Sequence, residues 1–427
     1  MKENIKIILP YGEKEVEVYL PKDNVEWIKS PNNVPGLEDE EKAILEAIRN
    51  PIGIPALDEL VKQKGKNVVL LVDDMTRAAP QNKILPILLN ELNRAGVEDK
   101  DISAIIALGT HRPMTQEEIL KKYGEEAVRR IKFVNHDCRD KNTLVKIKNS
   151  NSGLPVYVNK TYYESDISIA VGNIIPHMYA GWAGGAKMIQ PGVCGIETTG
   201  ETHFMASEAV HDILGKVDNP VRREIENAAR ITGLTMIVNT ILNKEHEIVK
   251  VVAGDFIQAH REALSAGQQV YSLEINDYVD IMVASANPAY LDFWQSIKAF
   301  NNCAMAVRPG GTLILLCADP EGIAPDHPEL VQLGTCSREE AKQAYEEGFI
   351  KDKVGLATYL AMTINRERVE TYLISEGIPE SEAEKIGLKT APDVGTALKK
   401  ALQRQGSAAK IGVVTHGADI YFRVKNQ

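Results

Sequence analysis

The sequence has no apolar run near the ~20 residues that a membrane-spanning helix requires. Its start, MKENIKIILPYGEKEVEVYL, alternates apolar and polar residues as a strand does, and it lacks the apolar core of a signal peptide. The five cysteines form no CxxC pair and are odd in number, so a disulfide scaffold is not expected. Together these absences predict a cytoplasmic protein that does not enter a membrane.

Positive charge is also scarce, with 49 Lys and Arg against 59 Asp and Glu and a net charge of −10. An acidic surface repels phosphate backbones, so nucleic acid is not an expected partner. A small anionic substrate needs only a local cluster of basic side chains. At 427 residues, with 44% hydrophobic and 25% charged residues, the composition is typical of a globular protein with two domains.

Short apolar runs recur along the chain, each followed by polar or glycine-rich residues. Several are apolar on both faces, as the buried strands of a parallel sheet are. Between the first two runs, residues 84–95 carry apolar side chains at helical spacing, and Gly96 is suited to end that helix. Strand, helix and strand in this order are typical of a right-handed βαβ unit. The runs cover residues 67–72, 102–108, 167–171, 235–242, 279–284, 312–317 and 410–415.

The pattern predicts an α/β fold of two domains, each with a mainly parallel sheet flanked by helices, and an active site in the cleft between them. We expect residues 1–270 to form the N-terminal domain and residues 275–405 the C-terminal domain. The boundary is placed near residues 265–278, where the small and polar residues 265–269 precede a fresh strand–helix–strand set. A final strand within about 408–427 could return to the first domain's sheet. Helices of the second domain are predicted at about 291–307, 338–348, 356–370 and 394–405.

Polar and basic residues follow the predicted strands at their carboxyl ends, where open α/β sheets bind ligands. The first end carries DDMTR at 73–77, and the second carries GTHR at 109–112. The third is followed by PH at 176–177 and by GWAGGAK at 181–187, whose glycines let the backbone approach a ligand closely. His203 follows farther along the same stretch.

Each of these segments also has a purely structural interpretation. An isolated DxTR segment is often a capped turn between strand and helix, and an isolated histidine is often structural. The loop before Lys187 is not a Walker A motif, because Ala186 and Met188 flank the lysine where that motif needs glycine and serine or threonine. An arginine, three histidines and a loop lysine nevertheless all follow strand ends, and that combination predicts one shared site.

A further candidate group lies in the second domain. Trp294, Gln295 and Lys298 lie on a predicted helix, where Trp294 and Lys298 share one face. Taken alone, this segment favours a partly buried tryptophan with its lysine in solvent.

Taken together, the segments resemble the nickel-dependent lactate racemase family, whose members racemise or epimerise 2-hydroxyacids with a nickel-pincer cofactor. The resemblance rests on residues 74–77, 109–115 and 172–203 and on the helix with Gln295 and Lys298, and it covers both domains. Residues 182–183 are Trp-Ala where lactate-type members carry Tyr or Phe and then Ser. The resemblance therefore implies a reaction class and leaves the particular 2-hydroxyacid open.

The resemblance also implies a cofactor and a role for each candidate residue. The cofactor would be a pyridinium mononucleotide bound to nickel through two sulfurs and a ring carbon, supplied by separate cofactor-synthesis enzymes and tethered covalently to Lys187. His203 would be the protein ligand of the nickel, and His111 and His177 the acid/base pair, one for each face of the substrate. Arg77 would bind the substrate carboxylate with Asp74 as an orienting group. The remaining contacts to substrate or cofactor would come from Gln295, Lys298, Thr76, Gly184, Gly185 and Trp294.

The chemistry of such a reaction fits these roles. The C2–H bond of a 2-hydroxyacid is a very weak acid, because the adjacent carboxylate is already negative. The hydrogen leaves more easily as hydride, to an electron-poor carbon of the cofactor, when a base takes the hydroxyl proton and a transient 2-ketoacid forms. Histidine, with an ordinary pKa of about 6.5, suits that proton transfer at neutral pH. An arginine can hold the carboxylate through two hydrogen bonds while the ketoacid turns its other face.

Two other functions stay open at the level of sequence. His111, His177 and His203 could hold zinc in a hydrolase, although no HExxH or HxH spacing occurs. The same residues could belong to a non-catalytic carrier of the nickel cofactor, although a carrier needs no acid/base pair on two faces.

Overall fold

The computed structural model describes residues 3–150 and 152–425 and has an α/β fold built on two six-stranded sheets. The predicted N-terminal domain and final strand extend to residues 1, 2, 426 and 427, which lie outside the described residues. Within the described part of the chain, no helix is both long enough and apolar enough to cross a membrane.

The first sheet is parallel except at one edge, where Ile248–Gly254 runs antiparallel to its neighbour Met236–Leu242. Its central strands are buried along their whole length, because protein covers both of their faces. From edge to edge the strands are Ile248–Gly254, Met236–Leu242, Ile167–Asn173, Val68–Val72, Ile102–Ile106 and Lys132–Asn135.

The second sheet is parallel throughout. The strand Ile411–Val414 lies inside it, between Val279–Ser285 and Val25–Lys29, and does not return to the first sheet as the sequence had suggested. All four of its residues are buried, as a central position requires. From edge to edge the strands are Lys389–Thr390, Glu370–Ile374, Val307–Leu316, Val279–Ser285, Ile411–Val414 and Val25–Lys29.

Short ladders and helices complete the described elements. The two-stranded ladders join Asn4–Tyr11 with Lys14–Pro21, Leu144–Lys146 with Tyr157–Asn159, Pro176–His177 with Gly181–Trp182, and Ser272–Ile275 with Tyr421–Val424. The α-helices are Glu40–Arg49, Leu57–Lys64, Gln81–Arg94, Gln116–Arg130, Lys160–Tyr163, Ile196–Ser207, Val210–Ile213, Pro220–Thr232, Gln258–Tyr271, Phe293–Ala304, Glu329–Gln332, Arg338–Glu346, Lys353–Arg368, Glu380–Lys385 and Val394–Gln405. The 3₁₀ helices are Lys22–Asn24, Asp99–Asp101 and Gly185–Met188.

Alternate residues of the central strands enter different cores, since successive side chains of a strand point to opposite faces. Val69 of the first sheet and Met282 of the second belong to one continuous apolar cluster. Their neighbours Leu70 and Ile281 belong to two separate clusters, one for each sheet. The two sheets therefore share a core, and each also has a core of its own.

The small and polar residues 265–269, at the start of the predicted boundary region, lie inside the helix Gln258–Tyr271. Packing explains the small residue at Gly267: a Cβ there would be 2.9 Å from the ring of Trp182. The glycine lets the helix approach the buried tryptophan closely. This part of the predicted boundary region is therefore a close helix contact.

The domain division is our proposal, and the packing indicates how to draw it. Leu9 and Leu20 of the N-terminal hairpin belong to the same apolar cluster as Ile281 of the second sheet. The strand Val25–Lys29 also pairs within that sheet. We therefore propose that the N-terminal segment up to residue 29 joins the C-terminal domain, with the crossover between domains near 270–275.

Candidate active site

One cleft is lined by residues that follow the strands of the first sheet and by the first turns of the helix Phe293–Ala304. The open space is ≈ 860 Å³, including the part continuous with solvent. Residues from distant parts of the chain thus line one cleft. The predicted residues that line the cleft are Asp74, Arg77, His111, His177, Gly184, Lys187, His203, Trp294, Gln295 and Lys298.

Asp74 follows the strand Val68–Val72 and uses its two oxygens for different purposes. Oδ1 accepts hydrogen bonds from the backbone N–H of Thr76, at 2.7 Å, and from its hydroxyl, which fixes the turn. Oδ2 accepts from Nδ1 of His111 at 2.7 Å. Burial alone would raise the pKa of Asp74, but His111, Arg77 and Thr76 outweigh it and hold that pKa well below its usual range. The carboxylate is therefore ionised and keeps a hydrogen on Nδ1 of His111.

The other ring nitrogen of His111 faces the second domain. The side-chain amide of Gln295 donates to Nε2 of His111 at 3.1 Å, and Lys298 donates to the amide oxygen, which fixes the amide orientation. Burial lowers the pKa of His111 below 6.5, and the charge of Asp74 offsets this only in part. At neutral pH the ring is thus neutral, with a lone pair at Nε2 that can accept a proton.

His177 stands on the hairpin formed by Pro176–His177 and Gly181–Trp182. Its Nδ1 accepts a hydrogen bond of 3.2 Å from the backbone N–H of Tyr179. Burial, followed by the charges of Lys187 and Lys298, lowers the pKa of His177 well below 6.5. The neutral ring therefore carries its hydrogen on Nε2, whereas His111 carries it on Nδ1. The two predicted acid/base residues are neutral rings with opposite hydrogen positions.

Lys187 lies in the 3₁₀ helix Gly185–Met188, which directly follows the glycine-rich hairpin. Burial is the main reason why its pKa is lowered from 10.5 to about 7, and the charge of Arg77 adds to the effect. A large fraction of the side chain is then the neutral amine at neutral pH, the form that can attack a carbonyl or thiocarbonyl carbon.

The two glycines before Lys187 are required by close packing. Gly184 has φ +71° and a Cβ there would be 2.9 Å from the carbonyl oxygen of Asn173; Gly185 has φ +58° and its Cβ would be 2.9 Å from Nη2 of Arg222. Both conformations favour glycine. Gly184 lines the cleft, whereas the space at Gly185 is taken by the arginine that supports the loop.

Arg222 was missed by sequence reasoning. Its guanidinium is fully buried and donates to the carbonyl oxygens of Trp182, at 3.0 Å, and Gly184, at 3.4 Å, while Glu226 accepts from its Nε at 2.9 Å. A hydrogen bond of 2.9 Å also joins Nε2 of His260 to the carbonyl oxygen of Ala183, which lies between Trp182 and Gly184 in the same loop. In the sequence Arg222 is one of several charged residues of an amphipathic helix, and only its burial distinguishes it from a solvated arginine.

His203 projects into the cleft from the helix Ile196–Ser207. Burial, followed by the charge of Lys187, lowers its pKa to about 3, so the ring is neutral and a lone pair is available to a metal. A hydrogen bond to the backbone of Thr199 restrains the ring. The ring of Tyr179, also missed from the sequence, lies 4.7 Å from that of His203 and 6.0 Å from that of His177, measured between centroids.

Three basic side chains converge on the cleft. Arg77 donates to the hydroxyl of Thr76 at 3.1 Å, and Lys187 and Lys298 line the same cleft. Burial, followed by the charges of Arg77 and Lys187, lowers the pKa of Lys298 well below 10.5. Such mutual repulsion is relieved when an anion binds. The site therefore suits a ligand with negative groups. Thr76, the remaining predicted residue, lines an adjoining pocket that also touches Trp294.

Known proteins are similar in sequence to this chain over nearly its whole length. Residues 11–213 match the lactate racemase N-terminal domain. Lactate racemases from Thermoanaerobacterium thermosaccharolyticum and Lactiplantibacillus plantarum are 27% and 26% identical to the chain, over 98% and 97% of its length and 99% of theirs. The chain is a homologue of the lactate racemases. It is accordingly an isomerase of the racemase type, and the resemblance seen in the motifs is confirmed.

Solved structures agree with the fold. The lactate racemase apoprotein from T. thermosaccharolyticum superposes with a TM-score of 0.86 at 25% identity, covering 98% of this chain and all of that one (100%). A protein from Thermotoga maritima superposes with a TM-score of 0.72 at 20% identity, covering 90% of this chain and 98% of that one, which supports the fold alone. The predicted α/β class is confirmed.

Proposed function

We propose that the protein inverts C2 of a 2-hydroxyacid, as a racemase or epimerase that depends on a nickel-pincer nucleotide. The observation that carries the proposal is the pair His111 and His177, two neutral rings that line one cleft with opposite hydrogen positions. Inversion needs a proton taken from the hydroxyl above one face and returned above the other. The relatives named lactate racemase support the same class of substrate.

The chemistry of the donor set fits the cofactor. Lys187 presents a buried amine with a pKa of about 7, as a covalent tether requires. His203 presents a neutral imidazole restrained by a backbone hydrogen bond, the arrangement typical of metal-binding histidines. We assign Gly184, Thr76 and Trp294 to the walls that enclose the nucleotide, and Gly185 to the packing of the loop that carries Lys187. When bound, the group supplies an electron-poor carbon that can accept hydride from C2.

Basic side chains of the cleft hold the substrate in this proposal. Arg77 binds the carboxylate through its planar guanidinium, which can donate two parallel hydrogen bonds. Lys298 and Gln295 contact the substrate or the cofactor phosphate from the second domain. Asp74 does not touch the substrate; it orients His111 and stabilises the imidazolium that forms when His111 accepts a proton.

The two histidines exchange the hydroxyl proton. His111 accepts it at Nε2 from a substrate bound with its hydroxyl on that side. On the opposite face His177, first protonated from solvent, returns a proton to the oxygen, and His111 then releases its own proton to solvent, so that the protons balance over one turnover. For the other enantiomer the two rings exchange these roles.

The alternative of a zinc hydrolase finds no support in the geometry. In the described residues, His111, His177 and His203 do not come close enough together to share one ion. Both ring nitrogens of His111 also have protein partners. We further propose that separate synthesis enzymes supply the cofactor in the cytoplasm, where the five free thiols of the chain stay reduced.

The test is stereochemical. Protein made together with the cofactor-synthesis enzymes is incubated with single enantiomers of lactate, malate, 2-hydroxyglutarate and an aldonate, and the products are separated by chiral chromatography. The proposal predicts that one of these acids yields its C2-inverted form. A nickel-loaded protein that inverts none of them would be a carrier. Intact-mass analysis should show the added group on Lys187 in active protein and none in Lys187→Arg; active protein with an unmodified Lys187 would overturn the cofactor assignment.

A further inference from the structure

A second polar cluster lies behind the cleft wall, at the start of the helix Lys353–Arg368. Each of His327, Glu329 and Asp352 offers one ligand atom, and these atoms all lie within 4.8 Å of one another. Zinc binds imidazole nitrogen and carboxylate oxygen at about 2.0–2.2 Å. An ion between the three side chains would need only small adjustments to reach all of them.

Two atoms of this cluster are buried without a partner among the described residues. They are Nε2 of His327 and Oε2 of Glu329. His327 is 2% exposed, so solvent does not readily compensate its free nitrogen. Buried polar atoms in folded proteins are nearly always satisfied, and an orphan indicates a missing ion or water. A cation bound at Oε2 would satisfy the carboxylate atom of Glu329.

The imidazole of His327 is held in place by its neighbours. Asp352 accepts from its Nδ1 at 3.0 Å, and the ring stacks on Trp294 with 3.8 Å between centroids and an interplanar angle of 13°. The other oxygen of Asp352 accepts from the backbone N–H of Val354 at 2.8 Å, which fixes the carboxylate. The carboxylate thus stands beside Nδ1 of His327, and an ion bound between the two would replace this hydrogen bond.

The charge balance favours a cation. Arg139 donates to Oδ2 of Asp352 at 3.1 Å from the more exposed side. Glu329 keeps an oxygen, Oε2, that has no partner among the described residues. One nitrogen and two carboxylates are a donor set suited to zinc and neighbouring divalent transition metals, and less suited to calcium or magnesium, which prefer oxygen alone.

We propose that His327, Glu329 and Asp352 form a binding site for a divalent ion of the zinc type, separate from the cofactor ligand His203. The ion ties the loop before the helix Glu329–Gln332 to the start of Lys353–Arg368. Because His327 stacks on Trp294, which lines the cleft, the ion supports the cleft wall.

Calorimetric titration of the chelator-treated full chain with ZnCl₂ tests the site. Wild type should bind zinc at this site, and Glu329→Gln should weaken that binding at least about tenfold, as loss of an inner ligand costs no less than loss of an outer one. The matched control is Asp326→Asn, an exposed neighbouring carboxylate, which should bind as wild type does. His203→Ala removes the cleft ligand and should leave this binding unchanged.

Two further measurements guard against misfolded variants. Zinc should raise the Tm of wild type and Asp326→Asn but not that of Glu329→Gln, with all three alike by circular dichroism in the absence of metal. Crystals of wild type grown with ZnCl₂ should show zinc-edge anomalous density between the three side chains. Equal zinc affinity in wild type and Glu329→Gln, or anomalous density at His203 alone, would overturn the site.

Discussion

Asp74 accepts a 2.7 Å hydrogen bond from Nδ1 of His111, and this contact leaves Nε2 of the same ring as the proton acceptor. The orientation is enforced, because the other oxygen of Asp74 is engaged by the backbone N–H and hydroxyl of Thr76. Only a carboxylate can accept hydrogen bonds at both of its side-chain oxygens. The turn after the strand Val68–Val72 and the tautomer of the acid/base residue are therefore fixed by one side chain.

Asp74→Asn should lower racemisation by about 10²–10⁴-fold. The amide oxygen would take the Thr76 side, which offers two donors, so the amide nitrogen would donate to Nδ1 of His111. The ring hydrogen would then move to Nε2, and the base would be lost. The measurement is initial rate in both directions, with nickel content unchanged as a control. A variant with near wild-type rates would show that the tautomer does not matter.

His111→Ala and His177→Ala should each reduce racemisation by at least about 10²-fold while nickel remains bound. Each variant lacks the proton acceptor or donor on one face, so a full inversion is blocked from either enantiomer. His203→Ala should instead lose nickel. The control is His246→Asn, an exposed histidine with φ +63°, a conformation that asparagine tolerates. Full activity in either alanine variant would rule out the two-base scheme.

The rate of tether formation should follow the neutral fraction of Lys187. With a pKa of about 7, that fraction rises from pH 6 to 8 and then levels off. An ordinary lysine, with a pKa of 10.5, would still be gaining reactivity at pH 9. Apoprotein mixed with purified cofactor over this pH range, with the Lys187 adduct quantified by mass spectrometry, separates the two cases. A rate that keeps rising to pH 10 would contradict the burial argument.

Arg222→Lys should destabilise the protein by about 1–3 kcal/mol and slow tethering at Lys187. Lysine keeps the charge but lacks the planar fork that bonds the carbonyls of Trp182 and Gly184. The matched control is Arg223→Lys, an exposed neighbour that pairs with Asp218, whose effect should stay within about 0.5 kcal/mol. Urea unfolding measures the loss of stability in both variants. Equal losses would show that the buried guanidinium of Arg222 has no special role.

Much of the fold could be predicted because buried strands and amphipathic helices leave local signals. The run at 67–72 is the strand Val68–Val72, and the helix expected at 394–405 has those bounds. The cleft residues after the strands could be predicted for the same reason, since parallel strands end at one edge of a sheet. His111 and His177 are 66 residues apart in sequence and line one cleft.

Features that depend on packing between remote segments left no such signal. The strand Ile411–Val414 is equally apolar whichever sheet it joins. The sequence of residues 265–269 does not show that Gly267 packs against Trp182. Arg222 and Tyr179 belong to the site only through partners in distant parts of the chain, and a single sequence does not show such pairings.

Racemisation in D₂O tests the central claim most directly. The loaded protein is given one enantiomer of the acid that it inverts, and the product is analysed by chiral chromatography and by mass spectrometry at C2. The histidines exchange only the hydroxyl proton in this account, so the inverted product should retain protium at C2. Deuterium at C2 would show that a protein base removes that hydrogen as a proton and would contradict the account, as would the absence of inversion in every acid tested.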